Sequence, residues 1–437
     1  MNADGPIIPF ESVFDRNGST LGVMDDLQIA VRTYDGCPRG CSGCLVDKDT
    51  KNRARGKLLL SAEELDIVRR RAASYLDWAK ENLNEKETGY FGRNGHKIAH
   101  SSFTCRFGNH SELPAEQLIA LAEGLDSNLL VLSTGPTDDL SPFIAMRDAV
   151  PGRRFLEIIY DPVTDDPKAI RAMILSMRAE GFLGYPEIVV TRQLVDRFSP
   201  ERFVTEKIAP MGDIGAQIQF GRYSPSKTRA FSLSQAVPID EEVIWLAGVA
   251  AEIVRLGLDV HPIPLGEYAV TLLDEYGEMA ALGEDGIDES RLPEPDPFDP
   301  AGIREKTRDI LLSSLYVDRD LSLHVWSESM GQHVLDSNFG YPALGNLRDA
   351  SIEELVTKPG GGIDRMLAEI MRSLSSHPKC LPCRYKSFCA SHAIPLFRKR
   401  MPDDGTHCYG YLPVIRAFQK DLGFLRNMID GFKRLGF

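Results

Sequence analysis

Asp35-Gly-Cys37-Pro-Arg-Gly-Cys41-Ser-Gly-Cys44 directly follows a short apolar run at 27–34, and the fold turns on how this stretch is read. Its spacing is Cys-x3-Cys-x2-Cys, with Gly36, Gly40 and Gly43 interleaved. Three thiolates on a glycine-rich loop can bind three irons of a cubane cluster. Such a loop must wrap closely around the sulfides and turn backbone N–H groups toward them, which favours glycine. Three ligands leave one iron open to a substrate. A zinc site closes with a fourth Cys or His, and none follows within about forty residues. A zinc loop, or three incidental thiols, is the competing reading.

The rest of the cysteine pattern points the same way. The eight cysteines stand at 37, 41, 44, 105, 380, 383, 389 and 408, so seven fall in two tight groups and one is alone. Disulfide scaffolds belong to short secreted chains, whereas this grouping in an intracellular chain indicates metal. The second group reads Cys-x2-Cys-x5-Cys-x18-Cys (Cys380, Cys383, Cys389, Cys408). Four thiolates complete either a cubane or a tetrahedral zinc, and spacing alone does not choose.

The chain has 437 residues, enough for two or three domains at roughly 150 residues each. Its 50 Lys+Arg against 63 Asp+Glu give a net charge of −13. A surface this acidic repels phosphate backbones, so nucleic acid is not an expected partner. No apolar run reaches the roughly 18 residues of a membrane helix, and the start lacks the basic and apolar regions of a secretory signal. These features set the expectation of a cytoplasmic protein without a membrane partner.

Between about 27 and 225 strand-like and helix-like segments alternate. Strand candidates lie at 27–34, 97–104, 129–134, 155–160, 187–191 and 214–220. They are short, apolar and bounded by Gly, Pro or Asp, as buried parallel strands are. A helix begins after Ser61, whose capping partner is Glu64, and continues through Leu65, Val68, Ala72, Leu76, Ala79 and Leu83 at three- and four-residue steps. Another spans 166–180 and stops at Gly181. Six β/α units in a row predict a parallel α/β sheet, open or curled into a partial barrel. A further helix at 241–258 and a possible strand at 259–264 precede an acidic, proline-rich stretch at 283–301, read as linker or surface loop. Beyond it come a strand signal at 321–327 and a helix at 351–357.

The three-cysteine spacing, placed just after the first strand of such a run, resembles the radical S-adenosylmethionine (SAM) superfamily. The resemblance implies a partial (β/α)6 TIM-type barrel and a [4Fe–4S] cluster on Cys37, Cys41 and Cys44. Its open iron would chelate the amino and carboxylate groups of SAM, and one-electron reduction would release a 5′-deoxyadenosyl radical that takes hydrogen from a substrate. The superfamily usually has an aromatic residue before the third cysteine, where Gly43 stands here. The second cysteine group, with Leu344-Gly-Asn-Leu-Arg-Asp-Ala-Ser-Ile-Glu-Glu-Leu355 upstream, resembles the SPASM/twitch-like C-terminal domain of some of these enzymes. A full SPASM domain carries another cysteine where Ala393 stands, and more upstream, whereas no cysteine lies between 105 and 380 here. One auxiliary [4Fe–4S] cluster on Cys380, Cys383, Cys389 and Cys408 is therefore implied, with zinc as the alternative. His392 and His407 could replace a ligand, but with four cysteines available they read as neighbours of that site or as surface residues.

Further site residues follow from the same resemblance. Where the superfamily has a Gly-Gly-Glu-Pro-like loop receiving the SAM amino group, this chain has Cys105-Arg-Phe-Gly108-Asn109-His110-Ser111-Glu112. Gly108 and Glu112, or Asn109 in place of Glu112, become SAM contacts. Ser133 and Thr134 end the third strand and Arg192 follows the fifth. Strand ends form the mouth of parallel α/β proteins, so these residues are candidates to hold ribose or carboxylate. Cys105, at the mouth end of strand two, is either a hydrogen donor to a substrate radical or a buried small apolar residue. His324 and Trp326 read as core.

The expected organisation is an N-terminal extension (1–26), a radical SAM barrel (27–270), an acidic Pro-rich linker or bridging region (271–320) and a SPASM/twitch-like iron–sulfur domain (321–437). The expected function is radical modification of a ribosomally made peptide by crosslinking, epimerisation or oxidation. Radical oxidation or rearrangement of a small molecule such as an aminocyclitol or sugar is the alternative, and a non-catalytic electron-transfer protein the remote one. The implied partners are the substrate and an electron donor such as flavodoxin or ferredoxin. Only 36 residues precede Cys37, too few for a fused leader-peptide domain, so a separate recognition protein or direct docking is expected.

Overall fold

The structure is a computed structural model that describes residues 26–41, 48–83, 100–105, 107–127, 129–223, 235–263, 300–327, 333–335, 341–383, 386 and 389. Cys44, Cys408, His392, His407, Ala393 and most of the acidic stretch at 283–301 lie outside them. Seven strands alternate with helices: β1 (Asp26–Val31), β2 (His100–Cys105), β3 (Leu129–Thr134), β4 (Arg153–Ile159), β5 (Leu183–Val190), β6 (Ala216–Arg222) and β7 (Val260–Ile263). They pair in sequence order, every neighbour parallel. The six expected strands are therefore present, and the possible strand at 259–264 forms β7.

The sheet continues past β1 on its other side. β8 (Ser314–Val317) joins β1 in parallel, β9 (Ser322–Ser327) runs antiparallel to β8, and β10 (His333–Leu335) and β11 (Gly345–Asn346) run antiparallel to β9. The order is β10-β9-β8-β1-β2-β3-β4-β5-β6-β7. The described part of the 271–320 region is thus a helix, Pro300–Ser313, and the strand that carries the chain back beside β1.

Alternation along the strands separates two faces. Leu27, Ile29, Val31, Phe103, Leu130, Leu132, Leu156, Ile158, Ile188 and Phe220 pack with helix residues such as Leu65, Val68, Leu118 and Ile170 in one large core. The opposite face holds two small clusters without helix residues: Leu129, Val131, Phe155 and Tyr185, and Ala30, Tyr316 and Trp326 with Phe107. Helices on one face and a side-chain-lined concavity on the other are the arrangement of a barrel wall.

Local chemistry sets the helix ends. Ser61 caps the helix Ala62–Asn82, its backbone N–H donating to Glu64 Oε2 at 2.8 Å while its side chain accepts from the Glu64 N–H. Asp166 caps Pro167–Ala179, and Gly181 takes φ +77 just beyond it. Ser351 and Glu354 make a second capping box on Ile352–Thr357. The helix Gly362–Ser376, absent from the sequence reading, buries Ile363, Met366, Leu367, Ile370 and Leu374 and delivers the chain to Cys380.

Candidate functional site

The loop leaving β1 is built before its cysteines are reached. Arg32 Nε and Nη2 donate to Asp35 Oδ1 and Oδ2 at 2.8 and 2.9 Å, a planar fork on a fully buried carboxylate. The same guanidinium lies 5.4 Å from the centre of the Phe107 ring. Gly36 O accepts from the Asn109 N–H at 2.8 Å, tying this loop to the one that follows β2. Both partners in that approach need glycine. A Cβ on Gly36 would fall 2.2 Å from the Tyr34 hydroxyl, and Gly108 has φ +78 with Tyr34 Cδ1 2.7 Å from where its Cβ would stand.

Cys37 and Cys41 follow, both half-buried, at the carboxyl ends of the parallel strands. The Arg39 N–H donates to Cys37 Sγ at 3.4 Å, the backbone-to-sulfur bond a thiolate-bound cluster uses. Among the described residues, a Cβ on Gly40 would meet no atom within 4 Å. Two thiols on one loop are donors of the kind an iron–sulfur cluster takes, and Cys44 lies outside the described residues. No disulfide joins the described cysteines.

Arg39 does more than space the cysteines. Its Nη1 donates to Ile159 O at 2.6 Å at the end of β4, and Nη2 pairs with Asp165. Burial opposes its charge, but Cys41, Asp165 and Cys37 outweigh that cost and hold its pKa above the ordinary value. Its Cδ would lie 2.8 Å from a Cβ on Gly135, which places the side chain beside Asn109.

Asn109 joins the ends of β2 and β3. Its Oδ1 accepts from Gly135 N at 2.7 Å, Thr134 Oγ1 at 3.2 Å, and Ser111 N and Oγ at 3.3 and 2.8 Å. The oxygen is thereby saturated, and what Asn109 offers to a ligand is its amide N–H groups. His110, fully buried, is pushed down to a pKa of about 4 by loss of water. As a neutral ring it donates from Nδ1 to Ser133 O at 2.7 Å, and Nε2 accepts from Thr33 Oγ1 at 3.4 Å. On the concave face Ser133 Oγ donates to Glu157 Oε2 at 2.9 Å, so serine and carboxylate act as one polar unit inside the wall.

Other expected residues sit elsewhere. Glu112 Oε2 accepts from Arg55 Nη2 at 3.0 Å on the rim. Arg192 opens the helix Arg192–Arg197 and donates to Glu241 Oε2 at 2.8 Å, bracing it against the helix Ile239–Arg255. Cys105 is fully buried in the helix-side core, on the face of β2 opposite Thr104, and loss of water pushes its thiol up to about 12. That position removes it from the concave face on which a hydrogen donor would act. Cys380 and Cys383 share a turn, with Cys380 N–H donating to His377 O at 2.9 Å and Cys383 N–H to Cys380 O at 3.1 Å. With Cys389 they pack against the main core. His324 and Trp326 are buried on β9 beside Tyr316, as core residues.

Arg39, His110, Asp165 and Glu157 escaped the sequence reading. Glu157 carries a legible signal, a lone acid within the apolar run Phe155-Leu-Glu-Ile-Ile. Arg39 and His110 lie inside stretches already singled out, where only cysteine and glycine spacing was informative.

The fold matches solved structures of anSMEcpe, an anaerobic sulfatase-maturating enzyme of the radical SAM, SPASM-domain type. One holds AdoMet and a Kp18Cys peptide; it is 13% identical, with a TM-score of 0.57 over 92% of this chain and 99% of that one. Another, with AdoMet alone, is 15% identical, with a TM-score of 0.57 over 94% of this chain and 96% of that one. A scan with protein-family models and a search of curated proteins find no match. The likeness gives the fold: a partial parallel α/β barrel with a smaller C-terminal extension.

Proposed function

We propose that this protein is a radical SAM enzyme acting on a peptide, with one SAM-binding and one auxiliary [4Fe–4S] cluster. The observation that carries the proposal is the Cys37–Cys41 loop, fixed by Arg39 and Asn109 at the carboxyl ends of the parallel strands, where α/β proteins hold ligands. Cys37, Cys41 and Cys44 would hold the first cluster; Cys380, Cys383, Cys389 and Cys408 the second. When bound, the first cluster supplies one electron and an open coordination position to SAM, chemistry that generates a 5′-deoxyadenosyl radical.

The chain's own residues then have distinct tasks. Asn109, its oxygen saturated, presents N–H donors suited to the carboxylate of SAM rather than to its ammonium group. Gly108 lets the backbone approach the ligand without a side chain. The Ser133–Glu157 pair presents an acceptor on the concave face, fit for hydroxyls of a bound nucleoside. Thr134 keeps Asn109 in place. Glu112 and Arg192 act at the rim, holding the surrounding elements through Arg55 and Glu241.

A peptide is the favoured substrate because anSMEcpe, which shares this fold, was solved with a Kp18Cys peptide beside AdoMet. A reduced flavodoxin or ferredoxin is the proposed electron donor. The test is anaerobic reconstitution followed by iron analysis and incubation with SAM and dithionite. About eight irons per chain and formation of 5′-deoxyadenosine are expected from two cubanes. Absence of 5′-deoxyadenosine from iron-loaded protein would reject the enzymatic reading. About four irons with one zinc would reject only the auxiliary cluster.

A further inference from the structure

The segment between Cys37 and Cys41 is gripped by two cations. Arg39 leaves the loop at its midpoint and reaches the end of β4, although β2 and β3 lie between β4 and β1 in the sheet. There Nη1 takes Ile159 O at 2.6 Å and Nη2 takes Asp165, which is itself set by the Asp161 N–H at 2.8 Å. From the other side Lys51, on the helix Lys48–Arg53, donates Nζ to Arg39 O at 2.6 Å. The Arg39 side chain is only 17% exposed. A surface arginine has no need of this enclosure.

We propose that Arg39 is a positioning residue for the three-cysteine loop, and that its fixed positive charge makes the cluster bound there easier to reduce. The inference rests on the reading that Cys37, Cys41 and Cys44 hold that cluster. Two physical effects are combined. The first is mechanical: a short glycine-rich loop has large backbone freedom, and two bonds to a distant strand end remove much of it before any metal binds. The second is electrostatic. Reduction adds one negative charge to the site, and a nearby cation in a partly desolvated setting lowers the energy of that state. Asp165, paired with Nη2, offsets part of this field.

Arg39→Gln removes both effects, whereas Arg39→Lys keeps the charge and loses the forked reach. In the metal-free chain, amide hydrogen exchange over residues 36–41 should quicken by about tenfold in Arg39→Gln with the global melting temperature unchanged, the size of effect that lost charge-assisted hydrogen bonds produce. After anaerobic reconstitution, a redox titration followed by EPR should put the midpoint of Arg39→Gln below that of the wild type and leave Arg39→Lys near it. Unchanged exchange in Arg39→Gln overturns the positioning role, including for a variant that takes up no iron. Equal midpoints for wild type and Arg39→Gln, or an Arg39→Lys shift as large as that of Arg39→Gln, overturn the electrostatic role. Should the wild-type cluster load but not respond to SAM, the enzymatic reading fails while exchange and midpoint still judge Arg39.

Discussion

Two side chains at the ends of β1, β2 and β3 connect chemistry to stability. His110 is neutral in the fold, with a pKa near 4 against an ordinary 6.5. Above pH 6.5 folded and unfolded rings are both neutral and nothing is lost. As pH falls below 6.5 the unfolded ring takes a proton that the buried ring refuses, so stability drops until about pH 4. The drop amounts to roughly 3 kcal/mol at one pKa unit per 1.36 kcal/mol. Thermal unfolding at pH 7 and pH 5 should therefore differ more in the wild type than in His110→Gln; equal differences would contradict the assignment. Cys105 leads to a second expectation. Its thiol stays protonated and faces the helix core, so Cys105→Ala should cost on the order of 1 kcal/mol and keep product yield per folded, cluster-loaded enzyme. Loss of product with continued 5′-deoxyadenosine formation would instead restore the donor role.

The C-terminal elements converge on the second cysteine group. The amphipathic helix Gly362–Ser376 leads into the turn at His377, and that turn sets Cys380 and Cys383 side by side against the core. Metal affinity at such a site is also folding energy. Cys383→Ala should therefore lose bound metal and lower the melting temperature, as measured by metal analysis and calorimetry; unchanged metal content and melting would mean these cysteines hold no metal. Periodicity and capping made most elements legible, since Ser61, Asp166 and Ser351 each announce a helix start and Gly181 an end. The segments that escaped have physical reasons. Pro300–Ser313 opens just beyond an acidic, proline-rich run, and β8 follows without a break, so Leu311-Leu-Ser-Ser-Leu-Tyr-Val317 has no turn residue to divide helix from strand. The pairing of β8 with β1 is a long-range contact that no local pattern encodes.

At the scale of the molecule, the parallel run was enough to state the α/β barrel from the sequence, and the cysteine spacing marked the loop leaving β1 as the candidate metal site. What spacing did not carry is the net of polar bonds from Arg39, Asn109 and His110, because it joins β1, β2, β3 and β4 across the mouth. That net fixes the Cys37–Cys41 loop where the strands end, the place at which the proposed cluster would sit. The most direct test replaces Cys37, Cys41 and Cys44 together with Ala and measures 5′-deoxyadenosine after anaerobic incubation with SAM and dithionite. No 5′-deoxyadenosine, with metal retained at the C-terminal site, is the predicted result. Continued cleavage of SAM by the triple variant would contradict the account.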